Sequence, residues 1–252
     1  MRLSLPVKVG IMSLLFLTLF LTGCGFLSGS LSEPAPKPEI GPTGKPVESK
    51  PNPPFIERFF SAPVELYDLE ATAGVVFEGV NKEDWSQVQS GITNLQALWQ
   101  QAKAAVGDKK GVKEADAAME ELTAAINGKK VTGSYESLIK FMGSVSDIGK
   151  SYKLSPIADI IAVSNGIRNV SFFVEDKNWP KAAAKVKELQ GTWEKVKPSM
   201  EQIGVWGEVT KTHATVNQMK DAINAENKGA FEEQQATINE SMGRIRQFFR
   251  GK

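Results

Sequence analysis

The chain has 252 residues, with 30 basic and 29 acidic side chains, one histidine and one cysteine. Its formal charge of +1 gives no electrostatic reason to expect a nucleic-acid partner. A lone cysteine cannot form an internal disulfide, so in an exported protein it needs another use.

The first segment supplies that use. Arg2 and Lys8 precede an apolar run from Val9 to Leu21, which closes on Leu21-Thr22-Gly23-Cys24. The run is shorter than the roughly 20 residues a membrane-spanning helix needs, and the layout is that of a secretory signal. The closing four residues resemble the lipobox of bacterial lipoproteins. The resemblance implies cleavage between Gly23 and Cys24, acyl chains on Cys24, and residence on the outer face of a bacterial membrane, either a cell membrane or an outer membrane. Gly25 differs from the aspartate that retains such proteins at an inner membrane. Losing residues 1–23 removes Arg2 and Lys8 and leaves 28 basic against 29 acidic residues, a formal charge of −1. That balance leaves anchoring to the acyl chains, of which a stable anchor takes more than one. No later stretch is expected to span a bilayer.

Residues 24–60 read as a lipidated N-terminus and tether. Eight of the thirteen prolines lie between Pro34 and Pro54. Proline removes backbone donors and fixes φ, so an extended spacer is expected, reaching roughly 90 Å over some 30 residues at about 3.1 Å each. Phe55-Ile56-Glu57-Arg58-Phe59-Phe60 is apolar enough to pack on a folded domain.

From Ser61 the pattern is helical and recurs. Leu66, Leu69, Ala73, Val76 and Val80 are matched, 94 residues on, by Ile160, Val163, Ile167, Val170 and Val174. Spacings of three and four place each set on one helix face. Ser61 and Ser155 are expected N-caps. The second helices carry Trp85 and Trp99 in one copy and Trp179 and Trp193 in the other, each pair two heptads apart. Asp84 and Asn178 are their expected caps, and a kink or break is expected at Pro198. In the third helices, Val112, Ala115, Met119, Leu122 and Ile126 match Val209, Thr212, Val216, Met219 and Ile223 at an offset of 97. In the fourth, Tyr135, Leu138, Met142, Val145 and Tyr152 are set against Phe231, Gln234, Ile238, Ser241 and Phe248. Asn127-Gly128 and Lys228-Gly229 mark the preceding turns.

The fold class expected is all-α: two tandem up-and-down four-helix bundles from an internal duplication, over 61–153 and 154–252. A merged eight-helix array is the alternative. In size and pattern this region resembles extracytoplasmic four-helix-bundle proteins. The resemblance does not extend to the haem-binding members, whose methionine on the first helix and histidine on the fourth have no counterpart here.

Candidate chemistry is sparse. His213 is the only histidine, and a metal site needs several converging ligands. Neither a phosphate-cradling loop nor a nucleophile motif is present. No catalytic residue, metal or cofactor is expected, and no enzyme. Trp206, in the Gly204-Val205-Trp206-Gly207 segment, is expected to plug a bundle end or present a binding surface. Trp206 and His213 are therefore the candidate ligand or partner surface. The expected function is a lipid-anchored interaction module of the cell envelope, held to the membrane through Cys24 and meeting an envelope protein. The alternative is a carrier or sensor of a small apolar ligand within or between the bundles.

Overall fold

The computed structural model describes residues 61–250; the signal, Cys24, the tether and Phe55–Phe60 lie outside the described residues. Eight helices follow in order: α1 (Val64–Asn81), α2 (Trp85–Val106), α3 (Val112–Asn127), α4 (Val131–Gly149), α5 (Ile157–Glu175), α6 (Trp179–Gln202), α7 (Trp206–Asn224) and α8 (Lys228–Arg250). The described residues are all-α.

The ten seam residues of α1 and α5 are all buried, because their spacing turns one stripe of each helix inward. Asp84 accepts from the Gln87 N–H at 3.1 Å and Asn178 from the Lys181 N–H at 3.3 Å. Each side chain therefore caps its helix. The serines do not act this way. Pro63 and Pro156 hold the cap positions of α1 and α5. Ser155 sits one residue earlier, accepts from the Ile157 N–H at 3.3 Å and bonds the Tyr67 hydroxyl at 2.7 Å.

Four turns share one conformation. Glu83, Lys177, Lys129 and Glu226 all have φ between 48° and 54°. In each, the following N–H reaches the carbonyl five residues back, as in Asp84 to Gly79 at 2.9 Å and Asn178 to Phe173 at 2.8 Å. This closure satisfies helix-end carbonyls. Glu83 and Lys177 are 94 residues apart, and Lys129 and Glu226 are 97 apart.

Several expectations are corrected. The turn before α8 falls at Glu226-Asn227 rather than Lys228-Gly229, because Lys228 already belongs to α8. Tyr152 lies beyond the end of α4, and α6 continues through Pro198. In the fourth helices the buried residues match at 97 rather than 96: Phe141, Ser144, Val145 and Ile148 correspond to Ile238, Ser241, Met242 and Ile245. Among the described residues one helix, α5, is long and apolar enough to cross a membrane by length and composition, although most of its apolar window is buried.

In each half, consecutive helices are neighbours and the fourth returns to the first. Across the halves, α5 lies against α4 and α1, and α8 touches α1. One apolar cluster draws on all eight helices and runs through both halves. Tyr135 of α4 joins them. Its ring stacks on Phe172 of α5 at 3.9 Å and 2°, and its hydroxyl donates to Asn169 Oδ1 at 2.5 Å. Burial, with Glu136 and Glu188 nearby, pushes this phenol up to about 12. The unfolded chain ionises it near the ordinary value of 10, so stability is complete below that pH and falls as pH rises from about 10 to about 12. Urea titrations from pH 9 to 12 should show a loss that is smaller in Tyr135→Phe.

Gly111 caps α3 with φ of +102°. A Cβ there would lie 2.8 Å from the Ser144 carbonyl oxygen and 3.1 Å from Ile148. Gly111→Ala should cost about 1–3 kcal/mol from the backbone conformation alone, measured as a lower urea midpoint.

Candidate functional site

A second stripe runs along α1, one residue round from the seam: Tyr67, Glu70, Gly74, Phe77 and Asn81. Its spacing is again three and four. Ninety-four residues on, α5 presents Ile161, Ser164, Arg168, Ser171 and Glu175. From Glu70 and Ser164 onward, both stripes line a cleft of about 610 Å³ whose remaining wall is α8. That wall uses Lys228, Glu232, Gln235, Asn239, Met242 and Arg246, a third run of threes and fours. The cleft exists because facing positions carry small side chains, among them Ala71, Gly74, Ser164 and Ala236.

The buried end of the cleft is charged. Glu70 and Arg168 are almost wholly enclosed, with side chains 3% and 7% exposed. Arg168 donates to Glu70 Oε1 at 2.8 Å, to the Glu70 carbonyl at 3.3 Å and to Asn165 Oδ1 at 3.0 Å. The other Glu70 oxygen, Oε2, accepts from Arg246. Burial lowers the Arg168 pKa against the support of Glu70, yet a guanidinium keeps its proton inside proteins. One carboxylate thus serves two guanidiniums.

The open end is arranged otherwise. Lys82 pairs with Glu78 at 2.7 Å, and Lys228 with Glu175 at 2.8 Å and Glu232 at 3.7 Å. These pairs are solvated and contribute little to stability. Arg246 near the end of α8 meets Glu70 early in α1, while Lys228 at the start of α8 meets Glu175 at the end of α5. So α8 runs antiparallel to α1 and α5 along the cleft. From Glu70 to Glu78 the groove spans about 12 Å at 1.5 Å per residue.

The chain matches no family model, no curated protein and no solved structure in the comparisons made. Its site is therefore read from its own geometry.

Neither described candidate from the sequence lies on this cleft. His213 accepts from the Trp193 indole N–H at 3.3 Å and stands 3.6 Å from Glu194. At an offset of 97 it corresponds to Asp116, which accepts from the Trp99 indole N–H at 2.7 Å. His213 thus satisfies a buried indole, as Asp116 does. Trp206 begins α7 and is 61% exposed, so it plugs nothing. It stands two turns from His213 on the same helix. Among the described residues no group of three or more histidine, cysteine or acidic side chains is placed to hold a metal. Gly23 and Cys24 lie outside the described residues.

The cleft residues lie on a second stripe, one position round from the apolar seam that periodicity reveals. A signal existed: Arg168 is the only basic residue in α5, and a cation in so apolar a helix calls for a buried partner.

Proposed function

We propose that this chain is a lipid-anchored, non-enzymatic binding module of a bacterial cell envelope, and that it takes a small molecule in the cleft between α1, α5 and α8. The observation that carries this reading is the cleft itself: about 610 Å³, between two related helices, charged at both ends, with an enclosed carboxylate and two guanidiniums at one of them. Such volumes and such mixed linings are typical of small-molecule sites. Under this proposal the halves are two four-helix bundles descended from one by duplication. The shared turn conformations and indole acceptors at offsets of 94 and 97 support that origin. Cys24 carries the acyl chains, and the proline-rich segment supplies reach.

The full chain, extracted gently from membranes and released from detergent in a native mass spectrometer, should carry a reproducible non-covalent mass. Ala236→Trp, on the exposed wall of the cleft, should remove it. A clean apo mass from every preparation counts against the reading. Anchoring is tested separately: Cys24→Ala should move processed protein out of the membrane fraction, and firm retention there would sink the lipoprotein assignment.

A second reading, recognition of an envelope protein, is favoured by a different observation. Leu154, Trp206 and Phe248 are large, apolar and each more than half exposed. Tyr67–Ser155, Glu208–Arg244 and Asp68–Arg250 bonds gather their neighbourhoods at the end where α1 begins. Crosslinking of the anchored chain through position 206 should capture one protein under this reading.

A further inference from the structure

We infer that the cleft ligand is a small amphiphile with a single anionic head, held head-inward against Arg246. The inference rests on the cleft being a binding site and adds the chemical class of its occupant.

The buried end holds two guanidiniums against one carboxylate. Arg168 is committed, its donors directed to Glu70 and Asn165. Arg246 is differently placed. It meets Glu70 through Nη1, is a quarter exposed and lines the cleft. A guanidinium has five N–H donors in a planar fork that matches carboxylate and phosphate oxygens. An anion beside Arg246 would supply the second negative charge this end lacks, in a place where solvent screening is weak.

The opposite end repels the same charge. Glu78, Glu175 and Glu232 outnumber Lys82 and Lys228 there. An anion entering the groove is therefore driven inward, and a cation is held at the mouth. Between the ends Ala71, Val75 and Phe77 of α1 and Ala236 of α8 share the lining with Ser171, Gln235 and Asn239, and Val75 is 47% exposed although apolar. About 12 Å of groove, apolar along its α1 wall, takes a short hydrocarbon body laid against Ala71 and Val75, which gains by leaving water.

The chain in lipid nanodiscs should be titrated with octanoate, octyl phosphate, octanol and octyltrimethylammonium, with empty nanodiscs subtracted. Octanoate or octyl phosphate should bind at least tenfold more tightly than octanol and the cation, and the tighter of the two identifies carboxylate or phosphate. Arg246→Gln should weaken the anion at least tenfold and leave octanol unchanged. Should Arg246→Gln fail to fold, Ala236→Trp replaces it, since it blocks the groove without touching the charges. Octanol binding as tightly as the anions would overturn the anionic head while leaving the cleft a site. Anion binding that survives Ala236→Trp, or is unaffected by Arg246→Gln, would overturn it as well. Failure of all four probes to bind would sink both the inference and the cleft as a small-molecule site.

Discussion

Replacing Glu70 by alanine should lower the unfolding free energy by about 3–5 kcal/mol, the usual cost of removing one partner from a buried ion pair. The loss is not that of a bond alone. Arg168 stays enclosed with no carboxylate beside it, and Arg246, bound to the same group, adds repulsion. Glu70→Gln should be milder, because the amide oxygen still accepts from one guanidinium. Glu70→Leu combined with Arg168→Met should recover much of the stability, since the only charge left without its partner is Arg246, which is a quarter exposed. Urea denaturation at pH 7 measures all three. If Glu70→Ala proves no worse than an ordinary surface change, water reaches this pair and the cleft is wetter than its burial indicates.

Trp99→Ala and Trp193→Ala should each cost about 3–5 kcal/mol, the range for truncating a large buried aromatic. Each indole is 1% exposed and central to its half. Trp99 packs edge-on against Phe141 at 5.6 Å and donates to Asp116, which Lys103 also holds at 3.0 Å. Trp193 donates to His213 at the longer distance of 3.3 Å. The informative measurement is the shape of the transition. One apolar cluster runs through both halves, so each variant should shift a single cooperative unfolding step. Two separated steps, with only one displaced, would show that the halves melt independently.

The sequence made the inner seams legible because an inward-facing stripe has a period that any single helix reveals. The ten seam positions of α1 and α5, the capping residues Asp84 and Asn178, and the central tryptophans all lie where periodicity puts them. The fourth helices were harder. Polar Gln234 and exposed Phe248 suggested a register one residue off, and only the buried set from Ile238 to Ile245 corrects it. The cleft was hidden for another reason. Its residues form a second stripe that is meaningful only when α1, α5 and α8 stand side by side, and the fact that Glu70 meets Arg168 and Arg246 is a property of that assembly. The role of His213 likewise depends on its neighbours. A lone histidine draws attention as chemistry, whereas here its lone pair completes a tryptophan's hydrogen bond.

The buried charge pair also governs which pieces of this chain tolerate one another. At the offset of 94, Glu70 corresponds to Ser164 and Arg168 to Gly74. The first half thus contributes the acid and the second half the base. At the buried end, two first halves meeting through this face would oppose glutamate to glutamate, and two second halves arginine to arginine. Both homotypic pairings bury unmatched charge, and such mismatches are how sequences exclude wrong partners. A first half meeting the second half of another molecule makes the native contacts unaltered. Residues 150–156, which join the halves, are the place where such an exchange would open, as in domain swapping. The chain therefore admits half-for-half trading between molecules but refuses self-repetition, and a descendant carrying three or more copies of either half alone would have to dismantle this pair first.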